Sequence, residues 1–281
     1  MKRNPLIAGT LLLTTAGFLS RILGFFYRIF LSRAIGAEGL GIYQMIFPIH
    51  GIAFALCAGP IQTSISRLTA ADEKRGRELF HTGLSISLGI ALLLAVSIRF
   101  LAPFLAERVL LEPRCAPLLP VMALSIPFSA IHACICGYYY GRKKTAVPAL
   151  SQLIEQCIRI SAVFLIAHVC SSNGISISVS LAVWGMLIGE AGSAIFSFLA
   201  YSFSSPPSPA EDTGYNPDRE QLVPGNRKQI NKPLFRMPLA APLMAMALPL
   251  MGNRLILGVL QSLEAIFVPN KLISYGMSSA E

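Results

Sequence analysis

Charge is scarce in this chain. Only 13% of its 281 residues are Asp, Glu, Lys or Arg, against 54% hydrophobic residues and a mean hydropathy of +0.61. No soluble domain of this size needs so much apolar surface, and that excludes an ordinary water-soluble fold. Aspartate is scarcer still: Asp72, Asp212 and Asp218 are the only ones, all outside the apolar runs. Membrane enzymes that act on polyprenyl phosphates hold Mg²⁺ with clustered acidic residues, because a hard cation takes oxygen ligands. No such cluster exists here, and the chain is read as a non-enzyme. Motifs of the form G-x-x-x-x-G-K-[ST], H-E-x-x-H or strand-flanked G-x-G-x-x-G are also missing, so no cofactor is expected. The six cysteines (57, 115, 134, 136, 157, 170) form no C-x-x-C and no Cys/His set with zinc spacing, and no metal is expected. All but Cys115 fall in apolar runs, where cysteine behaves as a small apolar residue.

What is present is a series of apolar runs, at about 6–32, 40–66, 80–106, 116–140, 147–170, 176–203 and 239–269, each matching the roughly 20 residues a helix needs to cross a bilayer. The expected fold class is all-α, a polytopic transmembrane helix bundle. Pro48, Pro60, Pro103 and Pro127 lie inside runs, which bundles tolerate because neighbouring helices satisfy the freed carbonyls.

The formal charge of +9 has an uneven distribution. With the amino terminus in the cytoplasm, inner segments carry Lys2, Arg3, Arg67, Lys74, Arg75, Arg77, Arg142, Lys143, Lys144, Arg219, Arg227, Lys228, Lys232 and Arg236. Outer segments carry only Arg33, Arg108, Arg114 and Lys271. This bias fits the positive-inside rule. The expected location is a bacterial inner membrane, multi-pass, amino terminus inside. The basic excess then sets topology, and no nucleic-acid partner is expected. The opening Met-Lys-Arg also resembles a signal peptide, but the apolar run continues past Arg21 and favours an uncleaved first helix.

Residues 204–233 read SSPPSPAEDTGYNPDREQLVPGNRKQINKP, a polar, Pro/Ser-rich linker composition. The expected organisation is a six-helix lobe over 1–203, a cytoplasmic linker over 204–238, and the first helix of a second, incomplete lobe over 239–281. Ser20-Arg21-Ile-Leu23 is echoed by Asn253-Arg254-Leu-Ile256, with Arg28 and Gln261 each seven residues later, as in a parallel internal repeat.

Five arginines lie inside runs: Arg21, Arg28, Arg99, Arg159 and Arg254. Arg21 and Arg28 are seven residues apart, about two helical turns, and so share one face with Thr14, Gly17 and Gly24. A charge in mid-membrane costs a few kcal/mol or more and faces a bundle interior or aqueous cavity. A cationic stripe suits an anionic cargo. In the fifth run Gln152, Glu155 and Arg159 share a face, where Glu155 and Arg159 form either a neutralised structural pair or part of the same cavity wall. Glu190 lies among Gly185, Gly189 and Gly192, small residues that let helices approach closely; it needs a first-helix arginine or a proton. Glu264 joins it as a countercharge or proton-site candidate. His50, His132, Gln44 and Gln62 are read as hydrogen-bonded packing residues.

The stretches Phe18-Leu-Ser-Arg-Ile-Leu-Gly-Phe25, Ala34-Ile-Gly-Ala-Glu-Gly-Leu-Gly-Ile-Tyr43 and Leu248-Pro-Leu-Met-Gly-Asn-Arg-Leu-Ile-Leu257, with Gln261, Glu264 and Pro269, carry a family resemblance. The chain resembles polysaccharide and lipid-linked oligosaccharide exporters of the superfamily that includes multidrug extruders and lipid II flippases, and most of all the stage V sporulation B type. The resemblance implies two six-helix lobes around a central cavity, alternating access, and a full length near twice this one. It also implies a diphosphate-contacting role for Arg21. Tyr27 and Arg28 stand where lipid II flippases usually carry an Arg-Asp pair, and no basic side chain stands near Gly51 and Ile52, so another lipid-linked saccharide is favoured over lipid II. The expected function is a flippase for a lipid-linked oligosaccharide or cell-wall or spore-cortex precursor, with a polyprenyl diphosphate-type saccharide and membrane lipid as partners. Arg21, Arg28, Arg159 and Arg254 are the expected substrate-binding residues. The alternatives are a multidrug cation antiporter of the same superfamily and a truncated, non-transporting membrane protein.

Overall fold

The computed structural model describes residues 5–174, 177–203 and 239–274, and the side chains of these except 5–6 and 261–274. Its main elements are the helices α1 (Pro5–Met45), α2 (Phe47–Cys57), α3 (Gly59–Ala71), α4 (Gly76–Phe104), α5 (Leu118–Gly141), α6 (Ala146–Ser172), α7 (Ser180–Phe203) and α8 (Ala240–Ser274). No strand occurs among the described residues. Six helical stretches are long and apolar enough to cross a membrane, the first running from Ile7 to Ala71. The chain is a multi-pass, all-α membrane protein.

That first stretch departs from the two separate runs read in the sequence. Helix continues through Arg33–Glu38, interrupted only at Gly36, whose φ of 76° lies in the left-handed region that glycine enters without steric cost. Pro48 and Pro60 supply the next two breaks. Each sits in the first turn of its helix, where a missing N–H costs least, so the second run divides into the end of α1, then α2 and α3.

Helix α5 forms the centre of the bundle and packs on α3, α4 and α7. Most of its residues are buried, among them Met122, Ile126, Cys134 and Ile135. Its hydroxyls do not add unpaired polarity: Ser125 donates to the Met122 carbonyl at 2.7 Å and Ser129 to that of Ser125 at 3.2 Å. Large apolar side chains instead project outward, such as Phe18, Phe100, Phe104 and Phe203. In a bilayer that exposure meets lipid and carries no penalty.

Helices α6 and α7 form the most extensive pair, and the glycines explain why. A Cβ on Gly189 would stand 3.0 Å from the Arg159 Cβ and 3.2 Å from the Glu155 carbonyl oxygen. One on Gly185 would overlap Val163, and one on Gly192 would overlap Ile158. The small residues at 185, 189 and 192 therefore set the approach that the sequence suggested. Helix α8 lies against α2 and α3 and buries Leu243, Ala247 and Met251 beside Ile61, Ile65 and Phe80.

Candidate functional site: an arginine-lined cavity

The middle turns of α1 carry Arg21 and Arg28, and α1 packs along α6. Between them, and closed by the start of α2, lies a cavity of about 600 Å³. Its lining includes Arg21, Gly24, Phe25, Tyr27, Arg28, Leu40, Tyr43, Gln44, Phe47, Gln156 and Arg159. The two first-helix arginines do share one face. A third arginine reaches them from α6. Among the described residues no carboxylate contributes to the lining.

The three guanidiniums differ in how they are held. Arg21 and Arg28 are exposed to the cavity, and neither has an ion-pair or hydrogen-bond partner among the described residues. Arg159 is largely buried and donates through Nη2 to Glu155 one turn earlier, side-chain exposures being 16% and 14%. Its Nε, also buried, has no partner among the described residues. Tyr27, only 5% exposed, likewise has a phenol oxygen with no hydrogen-bond partner among them. Buried donors of this kind are costly when unpaired, so Tyr27 and the Arg159 Nε are donors awaiting an acceptor at the cavity wall.

Behind Arg159 the polar groups change sign. His132 of α5, Glu155 of α6 and Glu190 of α7 bring one nitrogen or oxygen each to within 4.8 Å of one another. Ser151 lies 2.9 Å from the His132 Nε2. The spacing would allow a shared proton or a small cation, although Arg159 already engages Glu155. Glu190, for which the sequence suggested a first-helix arginine or a proton, faces the other carboxyl and the imidazole.

Several expected positions fall elsewhere. Gln152 is not part of the lining, whereas Gln156, one turn on, is. Arg254 does not join the other three arginines: α8 lays its guanidinium over Gly59, at the break between α2 and α3, where an added Cβ would overlap Nη1. The side chain of Glu264 lies outside the described residues. Tyr27, Gln156 and the approach of His132 to the two glutamates were not read from sequence. Gln156 stands three residues before Arg159, a spacing that could have flagged it.

A model of the family described as polysaccharide biosynthesis protein matches residues 6–274. The chain belongs to this family. Stage V sporulation protein B of Bacillus subtilis (strain 168) is 30% identical over 210 residues, covering 72% of this chain and 40% of the relative. Lipid II flippase MurJ of the same organism is 25% identical over 216 residues, covering 71% and 40%. Sporulation protein YkvU, also from that organism, is 20% identical over 280 residues, covering 98% and 57%. The chain thus spans about two fifths of the first two relatives' length. No solved structure matches.

Proposed function

We propose that this chain supplies the cation-lined half of a flippase that moves a lipid-linked anionic saccharide across the bacterial inner membrane by alternating access. The 1–203 region is the first lobe, 204–238 the cytoplasmic linker, and α8 the first helix of a second lobe. Arg21 and Arg28 hold the diphosphate of the carrier, Arg159 and Tyr27 complete its coordination, and the saccharide follows through the cavity while the prenyl chain stays in lipid. The carrying observation is the pair Arg21 and Arg28, unpartnered cations on the wall of one cavity. At an effective dielectric near 20, an ion pair at 4 Å is worth about 4 kcal/mol, against about 1 in water. Each charge-assisted hydrogen bond contributes roughly 1.5–3 kcal/mol net. The family membership and the similarity to a lipid II flippase support the same reading.

The antiporter alternative is disfavoured by the lining, because three arginines repel organic cations and no carboxylate among the described residues lines the cavity to offset them. The test is equilibrium binding to the chain in lipid nanodiscs, with farnesyl diphosphate against tetraphenylphosphonium. Farnesyl diphosphate is expected to bind and tetraphenylphosphonium not. The reverse order, or diphosphate binding that survives Arg21→Ala with Arg28→Ala, would overturn the reading.

A further inference from the structure

Arg159 belongs to two sites at once. Its side chain lines the cavity with Arg21 and Arg28, while its Nη2 is held by Glu155. Glu155 in turn stands within 4.8 Å of Glu190 and His132. From these shared contacts, and resting on the anion-binding reading above, we infer that occupation of the cavity by an anion is coupled to proton uptake at the Glu155–Glu190–His132 cluster.

The coupling follows from charge. With the cavity empty, Arg159 supplies the positive neighbour that lets Glu155 stay ionised beside Glu190. Two carboxylates this close do not both ionise readily without such a neighbour. A diphosphate in the cavity offers oxygens to the same guanidinium, including its unpartnered Nε. Tyr27, buried and unpartnered on the same wall, donates to that ligand as well. As Arg159 turns toward the ligand, Glu155 loses its counter-ion and gains a nearby anion. Both changes favour the protonated carboxyl. The proton comes from water and is held between Glu155, Glu190 and the His132 imidazole, so no bond other than O–H or N–H is made or broken.

The surroundings leave few competing groups. From α1 and its tail, Tyr27, Arg28 and Tyr43 face Arg159. From α2, His50 lies within electrostatic range of it. From α5 come His132 and Cys136, the latter 3.8 Å from the Ser151 hydroxyl. From α6 come Glu155 and Arg159, and from α7 Glu190. The two glutamates and His132 are the groups on hand to take the proton. Linkage is reciprocal: an anion that brings in a proton binds more tightly as pH falls, by up to about tenfold per unit for one proton. In a transporter this makes the arginine cavity a proton-coupled one.

The experiment is isothermal titration of the chain in nanodiscs with farnesyl diphosphate, run at one pH in two buffers of different ionisation enthalpy, so that the net proton uptake is read directly. About one proton per bound ligand is expected for the wild type. Glu190→Gln is expected to cut that uptake by at least half. Glu155→Gln frees Arg159 in the empty cavity and is expected to bind the probe more tightly than the wild type at pH 8, a gain that misfolding cannot produce. Protonation of the probe itself is common to every variant and cancels in the comparison. Binding with equal uptake in wild type and both variants, or with none in the wild type, overturns the inference and leaves the anion site standing. Absence of binding at any pH overturns the anion reading and this inference together.

Discussion

Two groups of arginines in this molecule are handled in opposite ways. At the ends of the helices, Arg142 and Arg114 are matched. Arg142, whose side chain is 5% exposed, donates to Glu73 at 2.9 Å and to the Tyr138 hydroxyl at 3.3 Å. Arg114 bridges Glu112 and Glu38, at 2.8 and 2.6 Å, and so ties the segment after α4 to the Gly36 bend of α1. In the cavity, Arg21 and Arg28 have no such partners. A matched arginine stabilises a packing arrangement. An unmatched one inside a membrane lowers stability unless something else neutralises it, and in the function proposed above that neutraliser is the bound anion. Arg159 stands between the two groups, paired behind and open in front.

The largest expected effect breaks the unmatched group. Arg21→Ala with Arg28→Ala should weaken farnesyl diphosphate binding at least about 100-fold, from two lost charge-assisted contacts of roughly 1.5–3 kcal/mol each, as read by titration in nanodiscs. Helix contact is the next lever, independent of charge. Gly137→Ala places a Cβ 2.6 Å from the Gln62 carbonyl oxygen and should cost about 1–3 kcal/mol through overpacking. Gly17→Ala, with nothing within 4 Å, should not lower the melting temperature and should raise helix stability by about 0.5–1 kcal/mol. Differential scanning fluorimetry of the pair reads this directly.

A smaller effect is expected from the matched group. Arg142→Ala should lower thermal stability by about 1 kcal/mol and leave diphosphate affinity unchanged, the mirror image of the cavity double variant. The smallest effect is a response to acid. Hydrogen bonds from Arg114, together with its charge, hold Glu112 below the ordinary carboxylate range. The link is therefore fully present above the unfolded-state value near 4.3 and is lost as pH falls through the depressed value. Amide protection over 105–116, corrected for the pH dependence of intrinsic exchange, should hold at pH 5 and fall below that range, and Arg114→Ala should abolish the difference.

Much of this was legible in the sequence. Run lengths gave the membrane class because crossing a bilayer demands a fixed number of apolar residues. The seven-residue interval from Arg21 to Arg28 gave a shared face because helical geometry is local. Gly185, Gly189 and Gly192 announced a close helix pair for the same reason. Lateral position was not legible. Nothing in Asn253-Arg254-Leu-Ile256 says that α8 would lie on α2 and α3 with Arg254 over Gly59, so similarity to the first helix suggested a shared site that the packing does not build. Gln152 was read on one face with Glu155 and Arg159, whereas the lining takes Gln156, a difference within the rotation that neighbouring helices decide. His132 meets Glu155 and Glu190 only because α5, α6 and α7 converge, a contact between positions far apart in sequence.

The most direct measurement of the cavity's role is site mapping with a photoreactive prenyl diphosphate in nanodiscs, followed by peptide sequencing. Labelling should concentrate on peptides 21–47 and 152–160, which carry the cavity wall, and should be competed away by unlabelled farnesyl diphosphate. Competed labelling centred on Arg99 or Arg254, with these two peptides unmodified, would contradict the account.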